Sequence, residues 1–215
     1  MYKKKPFFIV FEGVEGCGKS YQSRILYNNL KKLKISSILT REPGGTESAE
    51  LIRNLILKDY FTKNSKDKFD KYTDTLLYLA ARNEHVKNKI KPALSKKKVV
   101  ICDRFIDSTL AYQVYGKKVD IKFIKNIHKR ILAGIKPNIV FILKVSKQSS
   151  KKRLKKRKIK NRYDNFNQTF YTKAQNSFIK LAKNKKNYFI LNSSANDKKL
   201  EITIFHIIKK YLNIK

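Results

Sequence analysis

Residues 11–20 read FEGVEGCGKS, and Gly13, Gly18, Lys19 and Ser20 complete the pattern G-x-x-x-x-G-K-[ST]. In that pattern a glycine-rich turn lets successive backbone N–H groups converge on phosphate oxygens. The stretch follows the apolar run 7–11 and opens a helical pattern over 19–33, with Ile25, Leu26, Leu30 and Leu33 on one face. A strand entering the turn and a helix leaving it are the context such a loop needs, because the helix start adds its positive end to the anion site. Gly13, Val14, Glu15, Gly16, Cys17, Gly18, Lys19 and Ser20 are therefore expected to hold a nucleoside triphosphate, with Lys19 on the outer phosphates and Ser20 on Mg²⁺, a site that by itself would serve a GTPase, an ATPase motor or a small-molecule kinase. Cys17 reads as a small residue filling a tight loop, since a bound phosphate would cover it. Glu15 is out of place: a carboxylate in a polyanion site must face something else.

Outward from this loop, strand-like runs alternate with helical patterns. Further strands are expected at 36–40, 99–102, 139–143 and 188–191. Helices are expected at 47–57, 72–94 (with Pro92 marking a kink or boundary), 107–115, 120–133, 165–184 and 198–212, and 58–70 reads as a loop. Continuous apolar strands between helices argue a parallel sheet covered on both faces, the α/β class. The 215 residues show no internal repeat and no linker, so one domain over 1–215 is expected.

The composition is 41% hydrophobic, and no apolar run approaches the ~18–20 residues that span a bilayer. The run 7–11 is too short for a signal-peptide core, and Cys17 and Cys102 form no disulfide or zinc pattern, so a reducing cytoplasm is the expected location. The net charge of +35 invites a nucleic-acid reading. Lysines, however, scatter along the chain, and the abundance of Lys, Asn, Ile, Tyr and Phe matches AT-rich codon usage; functional nucleic-acid binding is not expected.

Two further segments fall at strand ends, the rim where open α/β sheets bind ligands. Residues 40–46 read TREPGGT, placing Arg41 before a backbone-exposing turn. Asp103 and Arg104 end the third strand: the carboxylate suits Mg²⁺ and the guanidinium suits a phosphate.

FEGVEGCGKS, TREPGGT, LLYLAARNEH (76–85) and DRFIDSTLAYQ (103–113), in that order, resemble the thymidylate kinase family over nearly the whole chain, about 7–210. The resemblance implies a P-loop kinase fold with a five-stranded parallel sheet, a basic lid at about 147–163, and a homodimer. It implies transfer of the γ-phosphoryl group of ATP to dTMP with Mg²⁺, on the route to dTTP. It also implies a role for Glu15, which would face the dTMP sugar 3′-hydroxyl and not the ATP phosphates. Arg82 would hydrogen-bond thymine O4 and Tyr78 would stack on the base, one helical turn away. Arg104 and Arg53 would contact the dTMP phosphate, and Arg41 either does so or supports its loop. Ser108, Tyr112 and Gln113 would line the dTMP sugar and base, with Tyr112 excluding a ribose hydroxyl.

Gly16 stands where some family members carry an arginine, and members without it supply basic residues from the lid. That makes this sequence similar to the bacterial type and Arg153, Arg157 and Arg162 candidates for stabilising transferred charge, Arg162 beside Asn161 in place of an acid. His85, His128 and His206 are scattered and expected on the surface or in packing, without a catalytic role. The alternatives are another (deoxy)nucleotide kinase, or a basic nucleic-acid-binding protein with a vestigial loop.

Overall fold

The computed structural model describes residues 5–58, 68–157, 168–195 and 198–214. Five parallel strands, β1 (Phe7–Glu12), β2 (Ser37–Arg41), β3 (Val99–Asp103), β4 (Ile139–Lys144) and β5 (Tyr188–Asn192), lie in the order β2-β3-β1-β4-β5. Every residue of β1 and β3 is buried, so helices cover both faces of the sheet centre, as an apolar run without alternation requires. The edge strands β2 and β5 are only partly buried, which explains why their sequences, SILTR and YFILN, admit polar residues.

The register sets the functional rim. Phe11 pairs with Asp103, and Asp103 with Arg41, so these residues form one row across β1, β3 and β2. The next residues lock the row: Glu42 N–H donates to Asp103 O and Arg104 N–H to Phe11 O, both at 2.9 Å. The three segments singled out by sequence therefore leave the sheet side by side.

Helices α1 (Lys19–Lys32) and α2 (Glu47–Leu57) follow the expected spans, and α3 (Lys71–His85) starts where expected. Thr46 caps α2 and Asp70 caps α3 through side-chain oxygens, whereas α1 starts on Gly18, at φ +92, with no side-chain cap. The expected single helix over 72–94 is interrupted: a wide π-helical turn (Val86–Ile90) joins α3 to α4 (Lys91–Ser95). Pro92 has no N–H to close an ordinary turn onto residue 88, which accounts for the widening there. The helix expected at 107–115 is likewise α5 (Ile106–Thr109) running into a π-helical segment, Leu110–Gly116, which carries Tyr112 and Gln113. Helices α6 (Ile121–Leu132), α7 (Lys147–Lys155), α8 (Gln168–Ala182) and α9 (Lys198–Leu212) complete the described chain. No described helix is long and apolar enough to cross a membrane. The main core joins β1, β3 and β4 to α1, α8 and α9, with Phe8, Phe11, Phe105, Phe141 and Phe178 as its largest fully buried side chains.

Candidate active site

A cavity of about 430 Å³ opens at the carboxyl ends of β1, β2 and β3. Its floor is the loop between β1 and α1. Gly13 is at φ +138, and a Cβ there would lie 2.6 Å from the Leu143 carbonyl, so the turn admits glycine alone. Val14 and Cys17 are buried under the loop, and burial pushes the Cys17 thiol up, as expected of a filler and not of a reactive thiol. Gly16, Gly18, Lys19 and Ser20 reach the cavity. Lys19 Nζ donates to Val14 O at 2.9 Å and meets no carboxylate in an ion pair among the described residues. Ser20 Oγ donates to Asp103 Oδ2, while Asp103 Oδ1 is buried without a partner among the described residues.

Above the floor, Glu15 is bonded through both carboxylate oxygens. Its Oε1 accepts from Arg104 Nη2 at 2.5 Å and its Oε2 from the Tyr112 hydroxyl at 2.7 Å. Burial raises the Glu15 pKa, but Arg104, Lys19 and Tyr112 outweigh it and hold the carboxyl below its usual range. Arg104 has φ +73, a backbone conformation rare for a side chain of its size. Four bonds hold it there: its own N–H to Phe11 O, Nη1 to Gly13 O and to Ser108 Oγ, both at 3.0 Å, and Nη2 to Glu15. Tyr112 lies against the Arg104 guanidinium, 5.3 Å from ring centroid to Cζ, and stacks on Phe170 at 5.9 Å. Ser108 and Gln113 also line the cavity, and Gln113 Nε2 is buried without a partner among the described residues.

The far wall is α3. Tyr78 and Arg82 both line the cavity, one helical turn apart. Arg82 is deeply buried and heavily engaged: Nε donates to Glu42 Oε2, Nη1 to Thr109 Oγ1 and Nη2 to Phe105 O, each at 2.7 Å, and Nη1 also meets His128 Nε2 at 2.8 Å. Among the described residues this leaves one Nη2 N–H for a ligand. Arg53 lines the cavity and donates to Pro43 O at 2.5 Å; burial, then the neighbouring Arg41, lowers its pKa. Arg41 is half exposed and pairs at 3.1 Å with Glu50, which also accepts from Gly45 N–H, so it braces the 42–46 turn while its side chain borders the cavity.

On the loop side, α7 packs against residues 15 and 16. Ser150 Oγ donates to Glu15 O at 2.9 Å, and a Cβ on Gly16 (φ +72) would lie 2.9 Å from Ser150. Arg153 Nη1 donates to Gly16 O at 3.1 Å and Nη2 to Ser193 O at 2.7 Å, tying α7 to the loop and to the segment after β5. Arg153 and Arg157 line the cavity; Arg162 and the rest of the expected lid from 158 on lie outside the described residues.

Sequence reasoning assigned nothing to Glu12, Glu42 or Thr109, and it expected His85 and His128 on the surface or in packing. Glu12 accepts from Phe105 N–H (2.7 Å), Ser108 N–H (3.1 Å) and Ser108 Oγ (2.6 Å), pinning the 105–108 turn to β1. Burial and Asp107 push its pKa up to about 7. His85 is buried in packing, where it bridges Glu42 Oε1 (3.0 Å) and Thr40 Oγ1 (2.7 Å), while His206 is exposed. His128 was legible in part, since Ile124, His128 and Leu132 recur every fourth residue on the buried side of α6.

The thymidylate kinase family model matches residues 11–204, most of the chain and all the segments that build the cavity. The chain belongs to the thymidylate kinase family. Among relatives, a thymidylate kinase of Wolbachia sp. subsp. Brugia malayi (strain TRS) is 44% identical over 180 residues, 82% of either chain. That of Wolbachia pipientis subsp. Culex pipiens (strain wPip) is 41% identical over 209 residues, 94% of this chain and 96% of the other. Among solved structures, thymidylate kinase from Ehrlichia chaffeensis superposes with a TM-score of 0.72 at 31% identity, covering 97% of this chain and 99% of that one. The thymidylate kinase fold thus accounts for the strand order and the position of the loop.

Proposed function

We propose that the cavity holds ATP over the 13–20 loop and dTMP against α3, and that the γ-phosphoryl group passes in line to dTMP, giving ADP and dTDP. The chain is an ATP:dTMP phosphotransferase by family, and one observation carries the assignment of the two sides. Glu15, the carboxylate that does not belong with polyphosphate, is bonded to Arg104 and Tyr112 and so faces the acceptor half. There it accepts from the sugar 3′-hydroxyl, Arg104 and Arg53 bind the acceptor phosphate, Tyr78 stacks on thymine, and Arg82 offers its remaining N–H to thymine O4. Tyr112 and Gln113 close on the sugar and base, and Ser108 holds Arg104 in place.

Lys19 supplies the outer-phosphate charge, with Arg153 and Arg157 beside it. Exchange of the Val14 carbonyl for a phosphate oxygen gives the Lys19 ammonium its ion partner. The donor set at the rim fits Mg²⁺: Ser20 Oγ and Asp103 are hard oxygen ligands, and Asp103 Oδ1, buried without a hydrogen-bond partner among the described residues, is an oxygen that the cation or its water would satisfy. Bound there, Mg²⁺ would neutralise charge on the bridging and transferred phosphates.

We place the reaction in a single domain over 1–215 in the cytoplasm, and propose a homodimer. Tyr72 and Leu76 on α3 and Leu51 and Leu55 on α2 expose apolar surface on two helices that pack together, a face suited to a second copy. The +35 charge is read as compositional, without functional nucleic-acid binding. A vestigial loop would have no reason to keep Lys19, Ser20, Asp103 and Arg104 around one cavity. A coupled ADP-release assay against dTMP, dUMP, dCMP, dGMP and AMP tests the reading. Preference for dTMP is expected; preference for a purine monophosphate would overturn the assignment of α3.

A further inference from the structure

His128 lies outside the cavity, on α6, yet its ring ends on the arginine that faces the base. Ile124, His128 and Leu132 are all buried, so α6 turns the imidazole inward with its apolar face. A guanidinium has no acceptor, so the His128 Nε2 that stands 2.8 Å from Arg82 Nη1 carries the lone pair, and the ring proton sits on Nδ1. Burial, then the charge of Arg82, pushes the His128 pKa down to about 3, so the ring stays neutral wherever the enzyme works. Thr109 takes the other Nη1 N–H, Glu42 takes Nε and the Phe105 carbonyl takes one Nη2 N–H. These four acceptors come from α6, α5, the turn after β2 and the turn after β3. Glu42 is itself held by His85, which leans on Thr40.

We propose that His128 is a positioning residue for base selection. Together with Thr109 it fixes both N–H bonds of Nη1, so the guanidinium plane cannot turn and the remaining Nη2 N–H is presented in one direction. A pyrimidine with a 4-oxo group accepts from it. A pyrimidine with a 4-amino group brings a donor against a donor, and neither side can rotate into an acceptor, which leaves polar groups unpaired in a buried site. An arginine free to swing would step aside and tolerate the amino group. The clamp therefore governs discrimination between bases more than use of ATP. The proposal rests on the reading of Arg82 as the base donor.

The test compares kcat/KM for dTMP and dCMP, and KM for ATP, in wild type, Arg82→Ala, His128→Ala, His128→Gln and Thr109→Val. Arg82→Ala is expected to collapse the dTMP:dCMP ratio; an unchanged ratio would remove the base-donor reading itself, and with it the clamp. Given that collapse, His128→Ala should narrow the ratio about tenfold, the scale of one hydrogen bond to a charged group, with KM for ATP held. His128→Gln, which can return an oxygen to the position of Nε2, should restore most of the ratio. Thr109→Val removes the second Nη1 partner at constant shape and should narrow it in the same direction, which decides the matter should His128→Ala fail to fold. Loss of rate on dTMP and dCMP alike in His128→Ala and Thr109→Val, with the ratio kept, would overturn the proposal and leave His128 a packing residue.

Discussion

The two walls of the cavity are built on opposite principles. On the acceptor side, charges meet charges inside the protein: Arg104 pairs with Glu15, Arg82 with Glu42, and the hydroxyls of Ser108, Thr109 and Tyr112 fill what remains. On the donor side, Lys19 rests on a carbonyl, Arg153 on carbonyls, and Asp103 keeps one oxygen without a partner among the described residues. Paired groups hold their geometry whether or not a ligand is present and suit recognition of a base and a sugar. Groups that form no ion pair among the described residues gain most when a polyanion and its cation arrive. On the proposed reading, one wall serves discrimination and the other receives charge.

Replacing Lys19 should break this contrast hardest. Lys19→Met keeps length and removes the ammonium, and turnover should fall by a factor on the order of 10² or more, the loss typical of one preorganised donor. Near-normal ADP release by the purified variant would mean that the loop does not bind the transferred phosphate. Glu15→Gln probes the paired wall. Wild type should prefer dTMP over its 3′-deoxy analogue, and the variant should narrow that preference about tenfold while ATP binding persists, from the loss of a charge-assisted hydrogen bond. A preserved preference with weakened ATP would move Glu15 to the donor side. Arg41→Ala marks the small end: its partner Glu50 and its own side chain are exposed, and exposed pairs contribute roughly 0.2–1 kcal/mol, so KM for dTMP should rise no more than about fivefold. A larger rise would make Arg41 a direct phosphate ligand instead of a brace.

Glu12 sharpens the contrast from below. It lies three positions before Glu15, and burial raises both, but at Glu15 the charges of Arg104 and Lys19 outweigh burial, whereas at Glu12 Asp107 adds to it, so their pKa values move apart: Glu15 below the usual range, Glu12 up to about 7. A folded pKa above the unfolded value of 4.5 means that the fold favours protonated Glu12. Its contribution is present in full below pH 4.5 and is lost as pH rises to about 7. Urea melts across that window should show wild type losing stability relative to Glu12→Gln, by on the order of 1 kcal/mol or more. Parallel curves for the two proteins would show that Glu12 is ionised throughout.

The sheet and the floor of the cavity were plain in the sequence because each rests on a local pattern. Apolar runs without alternation place β1, β3 and β4 at the centre, and loop, lysine and serine sit at fixed spacing on the helix start. Of the two π-helical segments, Pro92 signalled a break near the first, while the second, Leu110–Gly116, was not legible, since it depends on where hydrogen bonds close and not on which residues are apolar. Nor were Glu12 and Glu42: each is a single acid whose partners lie 40 to 96 positions away in the chain. Arg82 was visible as a candidate, but the four acceptors that immobilise it come together only when the strands align.

That alignment makes β2 a ruler. Arg41 is level with Asp103 and Phe11, and Glu42 emerges just beyond them to meet Arg82. Adding or removing one residue within Ser37–Arg41 would exchange the two faces of the strand and carry Glu42 off its mark by about 3.3 Å, longer than the bond it must make. The same change in the turn between α1 and β2 would alter only the connection. Descendants of this chain are thus free to gain or lose residues at the amino end of β2 and not along it, and an alignment of functional variants should show its gaps there.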